Sequence, residues 1–160
     1  MDVVSRIELL KHELRQDVAH GVTVETRRLV LAFGQPFFGI KRPKGVRLGP
    51  KKMCFKNAAN FVVNSSGKEE PSQTPYYVEG YALTPKTGYF HHAWISFEDK
   101  YAVELTLKCD PQEIAFFGII FSRSEVSELL NKNKEYGFLD QPIRSYVNDL
   151  FNCRTPSATS

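Results

Sequence analysis

Between Tyr76 and Phe121 the chain reads as one strand after another, with helical patterns on both sides of that block. This segregation constrains the fold more than any other feature. Helices and strands kept apart in sequence pack as separate layers, which is the α+β arrangement. The strand candidates are YYVEGYALT, HHAWISF and YAVELTL, the last two joined by the short turn EDK, as in a hairpin. EIAFFGIIF is a continuous apolar run, the pattern of a strand buried on both faces.

Before the strands, Val3, Val4, Ile7, Leu10, Leu14 and Val18 recur at helical spacing, which predicts a helix from about Asp2 to His20 that stops at Gly21. TRRLVLAFG is ambiguous between helix and strand. Residues 34–50 hold Gly34, Pro36, Gly39, Pro43, Gly45, Gly49 and Pro50, a density of breakers that predicts a long ordered loop. Such loops inside compact domains often bind ligands. A second helix opens near Cys54, with Phe55, Ala58, Ala59, Val62 and Val63 able to share one face. After the strands, Ser122 and Glu125 form a capping-box pattern ahead of Val126, Leu129 and Leu130. PIRSYVNDLFN reads as a last helix with Pro142 near its start.

With 160 residues the chain fits one domain, read here as residues 1–153, followed by a disordered tail at 154–160. The net charge of +3 is too small to argue for nucleic acid, and short basic clusters at residues 41–44 and 51–52 read as solvated loop charge. No segment has the length of a membrane-spanning helix. The opening stretch lacks the uninterrupted apolar core of a signal peptide, which points to the cytoplasm, although delivery to another cell without a cleaved signal stays compatible with the sequence. Three cysteines, Cys54, Cys109 and Cys153, with no CxxC spacing, suit free thiols and argue against a zinc ribbon. No cofactor or metal is expected; the adjacent His91 and His92 diverge to opposite faces of a strand and lack ligand spacing. Cys109 and Cys153 read as structural, since free cysteine is among the most buried residue types.

Cys54 is different because of its company. A thiol attacks an amide only as a thiolate. A helix start and a nearby imidazolium both favour that form. The imidazole then protonates the leaving amine, and an acid on its far side holds it in the useful tautomer. Cys54 at a helix start, His92 on a strand and Glu104 on the next strand supply those parts in order. Trp94 shares a face with His92 and reads as a wall of the core or of a substrate site. Asn57 and Asn60, further along the cysteine helix, read as hydrogen-bonding structural groups.

The stretches MCFKNAANFVV, YVEGYAL, HAWISF and VELTL together resemble the core of transglutaminase-like proteins within the papain-like cysteine hydrolase superfamily, over residues 50–110. The resemblance implies a papain-like fold with N-terminal helices packed on an antiparallel sheet. It implies Cys54 as nucleophile, His92 as base and acid, and Glu104 as the orienting group, one methylene longer than the family's usual Asp. The activity implied is amide processing through a thioester: amidohydrolase, glutamine deamidase or transglutaminase-like chemistry on a protein or peptide-like substrate. The competing expectation is a catalytically inactive module of the same lineage that binds other proteins.

Overall fold

The computed structural model describes residues 1–22, 24–67, 70–140, 149, 151–154 and 156. Among these residues the chain forms four α-helices and five strands: α1 (Val3–Ala19), α2 (Val24–Phe33), β1 (Gln35–Ile40), α3 (Cys54–Val63), β2 (Tyr76–Leu83), β3 (Tyr89–Phe97), β4 (Tyr101–Val103), β5 (Ala115–Phe121) and α4 (Arg123–Asn133).

The strands close into a barrel in the order β1-β4-β3-β2-β5. This corrects the papain-like arrangement inferred from the sequence. The class is α+β, but the helices cover a five-stranded barrel, not an antiparallel sheet, and one pairing, β1 with β4, is parallel. The element that closes the ring is β1, which pairs with β5 on one side and β4 on the other. It lies inside the stretch read from the sequence as loop.

Pro36 is tolerated within β1 for a specific reason. Alternate residues of a strand direct their N–H groups to the same side. Phe38 donates its N–H to Lys100 O, on the β4 side. Pro36 therefore faces that side too, and the β1–β4 pairing begins only at Phe38. The missing N–H falls where no ladder bond was due.

Phe37, Val78, Trp94, Ala102 and Phe116, one from each strand, fill the barrel interior with Ala82 and Ile114. A five-stranded ring is narrow, and glycines make room for the indole. Gly80 and Gly118 face each other across β2 and β5. A Cβ on Gly118 would sit 2.9 Å from Trp94 Cη2, and one on Gly80 would meet Phe117 O at 2.3 Å. The outer face carries the larger core, in which Leu10 and Leu14 of α1, Ala58, Ala59 and Val62 of α3 and Val126 and Leu129 of α4 pack on Tyr77, Tyr81, Ala93, Ile95, Phe117, Ile119 and Phe121.

Local chemistry sets the element ends. Asp2 caps α1 by accepting from Ser5 N at 2.9 Å, so the helix starts at Val3. Ser122 and Glu125 complete the capping box of α4. The β3–β4 turn places both Glu98 and Asp99 at positive φ, 57° and 56°. The helix inferred from PIRSYVNDLFN lies almost wholly outside the described residues. Arg154, assigned from sequence to a free tail, is anchored: it donates to Glu125 Oε2 at 2.6 Å and to Ile120 O at 2.8 Å. No helix among the described residues is long and apolar enough to cross a membrane.

Candidate functional site

Cys54 opens α3, where the backbone N–H groups of the first turn have no helical acceptor. Two left-handed or glycine features shape the approach: Lys52 takes φ 62°, and Gly49 lies so close to Asn57 that a Cβ there would stand 2.4 Å from the Asn57 side chain. The thiol is half-buried.

His92 lies on β3 on the same face as Trp94 and is almost wholly buried. It can meet a thiol carried on an outer helix because the barrel wall has a gap there. β4 ends at Val103, opposite Ile95, so the preceding part of β3 has no ladder partner on that side. The backbone N–H of Ala93, freed by this gap, and that of Phe55 hydrogen-bond Cys54, together with the His92 ring.

Glu104 follows the last residue of β4, where the sequence pattern had placed it within the strand. Its own carboxylate explains the early end. Oε1 accepts from the N–H groups of Thr106 and Leu107 at 2.6 and 2.9 Å, which turns the chain away from the ladder. Oε2 takes the remaining direction and lies 2.7 Å from His92 Nε2. That leaves Nδ1 of the ring for the thiol.

The electrostatics follow from these contacts. Burial pushes the Cys54 thiol up, but the hydrogen bond from His92, its charge and the Ala93 and Phe55 N–H groups bring it below its ordinary value. Burial pushes His92 down, and its hydrogen bonds and charge interactions with Cys54 and Glu104 carry it the other way, to about 9. Burial raises Glu104, while His92 and the two backbone N–H groups hold it below the usual carboxylate range. A thiolate–imidazolium pair braced by a carboxylate is the state these shifts favour. Such a pair is able to attack an electrophilic carbon and to return a proton from the ring.

Asn57 ties the two loops of the site together. Its Nδ2 donates to Pro50 O and to Thr106 Oγ1, both at 2.9 Å, and Gly49 N–H donates to Leu105 O at 2.7 Å. The loop that delivers Cys54 is thereby fastened to the loop that carries Glu104. The sequence signal for this was slight: an Asn one helical turn after the cysteine, next to a breaker-rich loop.

Trp94, considered from sequence as a substrate contact, has no exposed surface. It lies 4.9 Å from the Phe116 ring and 5.8 Å from the Phe37 ring, as part of the barrel filling. Cys109 and Cys153 are both exposed, which corrects the buried, structural reading. Slight burial and the nearby Glu104, Asp110 and Glu113 raise the Cys109 thiol.

His91 occupies the opposite face and serves a second constellation. Its Nε2 lies 3.0 Å from Glu79 Oε1 and its Nδ1 2.9 Å from Asp140 Oδ2. Glu79, fully buried, also accepts from Tyr77 Oη at 2.7 Å and from the N–H groups of Phe138 and Leu139 at 2.8 and 3.0 Å. This cluster pins the segment after α4 onto the barrel.

A cleft of about 1020 Å³ does not contain the thiol. It begins at Gly49, Asn57 and Leu105, beside the triad, and runs along α3 past Asn60, Phe61 and Asn64. No group of His, Cys, Asp and Glu among the described residues has an arrangement able to hold a metal ion. No protein-family model matches the chain, and no curated protein or solved structure matches it either.

Proposed function

We propose that the protein is a cysteine-dependent amide-processing enzyme. The observation that carries this reading is the hydrogen-bonded chain from Cys54 through His92 to Glu104, with the thiol lowered and the imidazole raised. The Cys54 thiolate attacks the carbonyl carbon of a carboxamide or peptide-like amide. The oxyanion that forms is met by the Cys54 N–H at the head of α3. His92 gives its proton to the departing nitrogen, which leaves as ammonia or an amine, and a thioester remains on Cys54. His92, now neutral, takes a proton from water as it adds to the thioester. The carboxylic acid leaves and the thiol–imidazole pair is restored. Glu104 does not take the proton; it holds the ring and steadies the imidazolium. With an amine in place of water the same steps give transamidation.

The second reading is a binding module in which the triad no longer turns over. The separation of the large cleft from the thiol favours it. Iodoacetamide labelling, followed at each cysteine by peptide mass spectrometry across pH, decides between them. The enzyme reading expects Cys54 to alkylate at mildly acidic pH, where Cys109 and Cys153 stay inert, and His92→Ala to move that profile to higher pH while His91→Ala does not. A Cys54 profile that rises only near the free-thiol value and ignores His92→Ala removes the catalytic reading.

A further inference from the structure

The cleft beside α3 has a composition that points to its occupant. At about 1020 Å³ it stands at the upper end of small-molecule pockets, enough for a stretch of chain. Its apolar surface comes from residues such as Ile40, Phe61, Phe97 and Tyr101. Among these stand the carboxamides of Asn60, Asn64 and Gln73. A carboxamide both donates and accepts, so it matches the alternating C=O and N–H of an extended main chain.

Charge adds a direction. Lys44 and Arg47, on the β1–α3 connection, line the cleft and are exposed. Neither forms an ion pair with a described residue. Among the described residues the single carboxylate on the lining is Glu98. An occupant with acidic side chains satisfies both cations and is steered to them; a basic one is repelled. Two cations amid an apolar, amide-rich surface are too few to follow a phosphate backbone, which favours polypeptide over nucleic acid.

The near end of the cleft fixes the orientation. Asn57 is one turn from Cys54, and Leu105 adjoins Glu104. We propose that this cleft receives an extended, acidic polypeptide segment and lays it along α3 with its reacting amide at the Cys54 end. The orientation rests on the amide-processing reading; the binding preference does not.

The test uses the full chain carrying Cys54→Ala, so that no turnover occurs, and two short fluorescent peptides. Each has one central glutamine, flanked by glutamates in one and by lysines in the other. Fluorescence anisotropy is expected to show binding of the glutamate peptide that weakens as salt rises, and at least tenfold weaker binding of the lysine peptide. Combining Lys44→Glu with Arg47→Glu should cut glutamate-peptide affinity at least tenfold and raise lysine-peptide affinity. Both side chains are exposed, and an unchanged circular dichroism spectrum checks the fold. Equal binding of the two peptides, no binding of the glutamate peptide, or indifference to the charge reversal overturns the proposal. An oligonucleotide of equal charge that binds as tightly as the glutamate peptide also overturns it. Because Cys54 is absent here, the outcome is independent of the alkylation test, and either idea can fall without the other.

Discussion

Replacing Glu104 with Gln changes one atom and tests how the carboxylate acts. The glutamine oxygen must take the place of Oε1, because that position accepts from the Thr106 and Leu107 N–H groups. The amide NH2 is then forced onto the Oε2 position, 2.7 Å from His92 Nε2. Two donors cannot face each other, so Nε2 must lose its proton. The ring then presents Nδ1–H to the thiol as a neutral group that has no acceptor left for the thiol proton. The variant therefore opposes the thiolate–imidazolium pair while keeping the loop bonds that shape the fold. A hydrogen bond to a charged group is worth about 1.5–3 kcal/mol. At about 1.4 kcal/mol per decade, the thiolate population at mildly acidic pH should fall roughly ten- to a hundredfold. Alkylation of Cys54 in Glu104→Gln, measured against pH, should drop by that factor and rise only at higher pH, with the circular dichroism spectrum unchanged. Turnover should suffer less than in Cys54→Ala, which has no nucleophile at all. An alkylation profile identical to wild type would refute the reasoning and remove Glu104 from the site.

Two further outcomes concern stability. Burial pushes His91 down, but the Asp140 and Glu79 carboxylates against its two ring nitrogens lift it from 6.5 to about 10. A raised histidine stabilises fully below its unfolded value and loses that contribution as pH climbs through its folded one. Melting temperature should therefore fall between pH 6.5 and 10, with His92 contributing to the same decline; His91→Gln should start lower at pH 6 and fall less, and an equal fall in the variant would show the latch to be inert. Gly118→Ala would place a Cβ 2.9 Å from both Glu79 O and Trp94 Cη2. Overpacking of this kind costs about 1–3 kcal/mol, or roughly 2–12 °C in melting temperature for a chain of this size, and calorimetry showing no change would mean the indole has room to move.

What was legible in the sequence was short-range. Helical spacing located α3 and its opening at Cys54, and period-two alternation separated His91 from His92. The capping pattern at Ser122 marked the start of α4. What escaped was decided by partners distant in sequence. β1 was hidden because Pro36 and Gly39 look like breakers, and only the absence of a β4 partner at Pro36 makes them acceptable. β4 was read too long because nothing local reveals that the Glu104 carboxylate will capture the N–H groups of Thr106 and Leu107. Closure of the barrel leaves no trace in alternation, since a strand in a ring and a strand in an open sheet share one period. Trp94 looked available to substrate for the same reason: alternation gives a face, but not whether that face is enclosed. Cys109 and Cys153 show the weakness of composition as a guide to burial at single positions.

The place of β1 in the ring also sets an order of events. It waits between β4 and β5, so the earliest strand to leave the ribosome is the last to find its neighbours. Cys54 emerges soon after it, well ahead of His92, Glu104 and the N–H of Ala93. Until the chain has passed residue 121 and the ring can close, the cysteine has its helix start and the Phe55 N–H but lacks the His92 ring and the Ala93 N–H, which do more to lower its pKa. A nascent chain thus carries a thiol closer to an ordinary one. The pairing of thiol with imidazole therefore arrives only with completion of the fold.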